Sequence, residues 1–156
     1  MRRRDLLLLA MAAVPLPAGF AFAQAAPLIE VWRDANCGCC GGWVEHLRNA
    51  GFRVQDRVVP AVGPYRQMLG TPRDLLSCHA GRILGYALEG HVPVAAIQRL
   101  VAERPTGLKG LAVPGMPVGT PGMEVPGQPP DTYDVIAFSD REAHRSWMRF
   151  RGYDPA

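Results

Sequence analysis

Three of the chain's four cysteines fall within four positions, in the stretch Asn36-Cys37-Gly38-Cys39-Cys40-Gly41-Gly42-Trp43, and this run limits the folds open to the chain. It follows an apolar alternating segment and precedes one with helical spacing, so the thiols are expected at a strand-to-helix turn. Backbone N–H groups at a helix start favour thiolate and draw a cysteine pKa from ~8.5 toward ~7 or below. Such a turn supports two chemistries: thiol–disulfide exchange and the binding of a soft metal ion.

The flanking segments set the fold class. Residues 27–33, PLIEVWR, alternate Leu28, Glu30 and Trp32 against Ile29, Val31 and Arg33, which predicts a strand. After the cysteines, Trp43, Val44 and Leu47 recur at helical spacing, and Gly51 is free to take a left-handed cap, which predicts a helix of about three turns. A second strand is expected over 52–59. Strand, CxxC, helix and strand, with parallel pairing and a right-handed crossover, open a thioredoxin-like fold. The expected class is therefore α/β: a thioredoxin-like single domain carrying a Pro/Gly-rich loop insertion.

Beyond that unit, a short helix is expected over 64–69, an extended piece over 83–88, and a helix opened by Pro93 with Val94, Ile97, Leu100 and Val101 on one face. Residues 114–130 differ in kind, with six prolines and four glycines in seventeen positions. Neither helix nor sheet runs through such a stretch, and a loop of that length within a compact domain is usually functional or disordered. A buried strand is expected over 131–139. Residues 146–151 are read as a strand pairing with it, in preference to a helix over 141–150.

The first residues read as an export signal. Arg2, Arg3 and Arg4 lead into an apolar run that ends in Ala21-Phe22-Ala23 before Gln24, an A-x-A cleavage pattern. The division is thus 1–23 signal peptide and 24–156 metal-binding domain. Arg3-Arg4-Asp5-Leu6-Leu7 suits a twin-arginine route as well as an ordinary leader. The run is shorter than the roughly 20 residues of a membrane span, and no later stretch approaches that length, so a soluble periplasmic protein is expected. Removing 1–23 takes three arginines and one aspartate and lowers the formal charge from +3 to +1. With a single lysine, Lys109, and scattered arginines, no phosphate-binding stripe forms, which excludes nucleic acid as a partner.

All four cysteines, Cys37, Cys39, Cys40 and Cys78, survive this processing. Two structural disulfides are the ordinary reading for an exported chain, but three cysteines crowded into one turn staple a domain poorly. Cys39 lies about 100° around the helix from Cys40. A spare thiol beside a redox pair invites wrong disulfides, whereas around several cuprous ions it is a further ligand. The proline-rich loop adds Met116 and Met123, which no helix there can place in a core. A thioether needs no deprotonation and selects Cu(I) over harder ions. Thiolates with thioethers in an exported protein point to copper rather than zinc. Cys78 either completes such a site or is a small buried apolar residue. His79 and His91 are ligand candidates, His46 and His144 weaker ones, and Glu89 and Glu124 lack an evident acid–base partner. There is no GxSxG, HExxH or Gly-rich phosphate loop.

Together CGCCGGWVEHLRNAGF, SCH at 77–79, GYALEGHVP at 85–93 and GLAVPGMPVGTPGME at 110–124 resemble CopG-type copper-resistance proteins, an exported cysteine-rich family of previously unassigned function predicted to bind metal. The resemblance runs from about Leu28 to the C-terminus. It implies a periplasmic thioredoxin-like domain that binds copper, as Cu(I), in copper resistance or homeostasis, with other periplasmic copper-handling proteins as partners and coupled redox chemistry. The implied ligands are Cys37, Cys39, Cys40 and Cys78, with Met116 and Met123 nearby. The chain departs from the family at 139–147, which is charged and lacks the Gly-containing hairpin turn expected there. The alternative is a thiol–disulfide oxidoreductase in which Cys37 is the nucleophile and Cys40 resolves the mixed disulfide; a third reading is a disulfide-stapled binding module. In thioredoxin-like folds a cis-proline loop precedes the third core strand, and the Val113-Pro114 bond, ahead of the strand at Tyr133, is the expected site.

Overall fold

The computed structural model describes residues 26–156; the expected signal peptide at 1–23 lies outside them. The elements in chain order are β1 (Leu28–Asp34), α1 (Gly38–Asn49), β2 (Arg53–Val59), α2 (Gly63–Leu69), a single 3-10 turn (Arg73–Leu75), β3 (His79–Ile83), β4 (Tyr86–Glu89), α3 (Val94–Glu103), β5 (Gly110–Ala112), β6 (Thr132–Phe138), β7 (Arg145–Arg151) and the two-residue β8 (Asp154–Pro155). All strands join one sheet in the order β2-β1-β3-β4-β5-β6-β7-β8. β1 with β2 and β4 with β5 are parallel, and the other neighbours are antiparallel.

Strand alternation divides the core into two layers, because successive side chains leave opposite faces. Ile29 and Val31 of β1, Leu88 of β4, Leu111 of β5 and Val135 of β6 meet Trp43, Val44 and Leu47 of α1 and Ile97 and Leu100 of α3. On the other face Trp32, Ala80, Ala87, Ala112 and Phe138 meet Leu69 of α2 and Leu75 of the 3-10 turn. The sheet is thus covered on both sides. Trp43 is fully buried, and its indole Nε1 donates to Val92 O at 2.9 Å, so the ring is held in rotation as well as buried.

Three expectations are corrected. The single extended piece at 83–88 is instead the turn and second strand of a tight hairpin: β3 and β4 pair through Ile83 and Tyr86, with Leu84 at φ 48° and Gly85 at φ 86° between them. Two central residues at positive φ match the right-handed twist of the strands; glycine adopts this freely, while leucine there costs about 1–2 kcal/mol. β5, where the sequence predicts no strand, bridges the hairpin to β6. No cis peptide bond occurs among the described residues, so Val113-Pro114 is trans. The reason lies in the strand order: the strand that pairs with β1 opens at His79, so Ser77-Cys78, not Pro114, precedes it, while Val113 N is already committed to Glu89 O at 2.9 Å.

The expected C-terminal strand is present as β7. Its connection to β6 needs no glycine, because Ser139 Oγ accepts from the backbone N–H of Arg141 and Glu142 and closes the turn. Residues 114–130 carry neither helix nor strand, as expected. No helix among the described residues is long and apolar enough to cross a membrane.

Candidate metal centre

The cysteine turn connects the end of β1 to α1. Asp34 ties it down: its carbonyl accepts from Cys37 N at 3.2 Å and its carboxylate from Asn36 N at 2.7 Å. Cys37 is the N-cap, and the first turn of α1 carries no acidic side chain, so the thiols lie at the positive end of the helix without a carboxylate among its first residues. Cys37 and Cys40 are joined in a disulfide, with Cys39 Sγ 3.6 Å from Cys37 Sγ. Cys40 is fully buried, while Cys37 and Cys39 are half-buried.

Register brings in the fourth cysteine. β3 runs antiparallel to β1 with His79 opposite Arg33, so Cys78, one residue earlier, arrives beside the turn that leaves β1. The sulfurs of Cys37, Cys39, Cys40 and Cys78 all lie within 4.8 Å of one another. The structure thus gathers the cysteine set that the sequence singled out. Burial, then the neighbouring Cys39 thiol, pushes the Cys78 thiol up to about 12. Several thiolates cannot share so small a volume uncompensated, and a soft cation that displaces their protons would offset both the burial and the mutual repulsion.

Cys78 also belongs to a second donor group, with His79 and His91. Its Sγ lies 3.2 Å from His79 Nδ1 and 3.0 Å from His91 Nε2. Pro121 O, which only accepts, is 2.8 Å from His91 Nδ1; that nitrogen therefore carries the proton, and Nε2 turns a lone pair toward the sulfur. Both rings are fully buried and their pKa values lie below the usual range, chiefly through burial. They are neutral donors near pH 7. The His79 ring packs at a 36° tilt against Trp43, centroids 4.3 Å apart, and its Nε2 is buried without a partner.

Sequence reasoning named both histidines only as candidates. The hairpin register brings them together: with Ala80 opposite Glu89, Cys78-His79 and His91 meet at one end, and the sequence carries no clear signal for that turn. His46 and His144 belong to neither donor group and are paired with Glu124 at 2.7 Å and Asp74 at 3.3 Å. Glu89, which showed no partner in the sequence, is paired with Arg66.

The proline-rich loop covers the first turns of α1. Gly122 has φ 88°, and a Cβ there would lie 2.4 Å from Trp43 N and 2.7 Å from Cys39 O; only glycine permits that approach. The loop is held internally by Gly119 N to Met123 O at 2.9 Å and Met123 N to Thr120 O at 2.7 Å, and externally by Glu124 on His46. Met123, next to Gly122, is half-buried, whereas Met116 is 55 % exposed.

A family model described as a protein of unknown function, DUF411, matches residues 75–123, a span that includes Cys78, Glu89 and both site histidines. Two solved structures named copper resistance protein CopG, form 2 and form 1, are each 42 % identical to the chain, with TM-scores of 0.74 and 0.73. Each alignment covers 80 % of this chain and 98 % of the solved one. No curated protein matches.

Proposed function

The chain belongs to the family of copper resistance protein CopG, and on that premise we propose that it is an exported copper-binding protein that holds Cu(I) at the cysteine turn and limits free copper in the periplasm. The observation that carries this reading is the gathering of four sulfurs within 4.8 Å, one of them shared with two buried neutral histidines. Thiolate and imidazole suit Cu(I), and bridging sulfur accommodates more than one ion. Cys37, Cys39, Cys40 and Cys78 are the ligands, and Met116 and Met123 complete the set from the loop. The thioredoxin-like assignment is supported by β1-α1-β2 with parallel pairing, followed by the antiparallel β3 and β4. Residues 1–23 act as the export signal.

A redox reading is favoured by one specific observation, the Cys37–Cys40 disulfide at the helix start. Forming that disulfide removes two thiolates from the ligand set, so exchange of the reduced pair with an external disulfide, which takes up the two electrons and leaves as a dithiol, would release copper held there. Cys39→Ser separates the two functions. A dithiol enzyme needs only Cys37 and Cys40 and keeps its disulfide reductase activity in this variant, whereas a site built from all four sulfurs loses copper stoichiometry. Copper content per chain, measured on reduced protein beside an insulin-reduction assay, reads both; unchanged copper content would dismiss the role of Cys39.

The methionines are tested separately. Leucine keeps the volume of methionine at a typical cost below ~1.5 kcal/mol while removing the sulfur. The Met116→Leu, Met123→Leu double variant is therefore expected to fold normally and to lose Cu(I) affinity in competition with a Cu(I) chelator. Unchanged affinity would reduce the loop to a cover over a cysteine and histidine site.

A further inference from the structure

Cys78 is the donor shared by both groups, yet the residue before it, Ser77, is a loop residue between the 3-10 turn and β3. A buried ion pair grips that residue. Glu89, at the end of β4, is fully buried, and Arg66 of α2 is largely so. Arg66 Nε lies 3.0 and 3.1 Å from the two carboxylate oxygens of Glu89. Ser77 N–H donates to Glu89 Oε1 at 2.7 Å, and Arg66 Nη2 donates to Ser77 O. Both backbone polar groups of Ser77 are thus held by one side-chain pair, and the Ser77 hydroxyl donates onward to Gly115 O, one residue before Met116. The fit is tight: a Cβ on Gly90 would meet Ser77 Oγ and Val113 O at 2.6 Å.

A buried ion pair is a poor choice for stability alone, since two apolar side chains of the same volume are often as stable or more so. The two hydrogen bonds from the pair to the Ser77 backbone are what apolar side chains could not reproduce. We infer that Arg66 and Glu89 are positioning residues for the metal centre, a clamp on Ser77 that aims the Cys78 sulfur at Cys39 and His91 and couples it to the methionine loop. The inference rests on the copper-site reading above. Neither residue is a ligand; each acts through Ser77.

The test replaces the pair by apolar residues, Arg66→Met with Glu89→Leu, and uses Glu89→Gln as a milder second variant should the double variant not fold. The double variant is expected to unfold near the wild-type midpoint, because removing the cost of burying two charges offsets the loss of partners for Ser77 N–H and C=O. Its Cu(I) affinity, by chelator competition, is expected to fall by ~10–100-fold, the range seen when groups that orient ligands are lost. In the copper-free disulfide form, alkylation of Cys78 followed by peptide mapping should accelerate several-fold. Arg66→Lys, which keeps the charge but not the fork that spans Glu89 and Ser77, should fall between wild type and Arg66→Met. A folded variant with wild-type Cu(I) affinity and wild-type Cys78 alkylation overturns the clamp alone. Failure of the wild-type chain to bind Cu(I) overturns the reading of the site, and the clamp's role in it.

Discussion

Cys78→Ser is expected to cost the reduced protein at least ~100-fold in Cu(I) affinity, about 2.7 kcal/mol of binding, while leaving its fold intact. Cys78 is the one residue common to the four-sulfur group and to the group with His79 and His91, so its loss divides the centre instead of trimming an edge. A serine hydroxyl is a hard donor that stays protonated and does not bridge soft ions. The structural cost is small because the side chain is half-buried at the mouth of β3, and its contact with Ser77 Oγ, at 4.0 Å, is weak; a change within about 1 kcal/mol is expected. Chelator competition gives the affinity and thermal unfolding the stability. Retained affinity in a folded Cys78→Ser protein would confine the site to the helix start.

The parts of the fold legible in the sequence are those where burial imposes a period. β1 shows it through Ile29 and Val31 on one face and Trp32 on the other, and α1 through Trp43, Val44 and Leu47. The hairpin was illegible because its turn uses Leu84 at positive φ, a residue that carries no turn signal. β5 has three residues, beginning with Gly110, whose Cβ would strike Ala87 O at 2.4 Å; so short a strand has no period to read. The cis-proline expectation at Val113-Pro114 followed from the same gap, since missing the hairpin displaced the strand that lies beside β1.

At the site, the three clustered cysteines were legible as chemistry because their density has no structural explanation. Cys78 is linked to them in the sequence by residue type and by the family resemblance, and the antiparallel register of β3 on β1 supplies the physical reason. The histidines were harder. Whether His91 faces a thiol depends on strand pairing thirteen residues away from Cys78 and on Pro121 O fixing its ring, neither of which is local. The Arg66–Glu89 pair was equally hidden, as it joins a helix to a strand across the sheet's second face.

The soft donor set is the central claim, and metal competition examines it without recourse to activity. Reduced protein is offered Cu(I) and Zn(II) together under anaerobic conditions, with buffering chelators for each ion, and metal content is read beside a count of free thiols. Bridged thiolates supported by neutral imidazole and thioether favour Cu(I), so a preference on the order of a thousandfold, ~4 kcal/mol, is expected, with thiols disappearing from the count as copper is taken up. Zinc retained equally or more tightly, at one ion per chain with copper excluded, would contradict the account and mark the four cysteines as a structural zinc site.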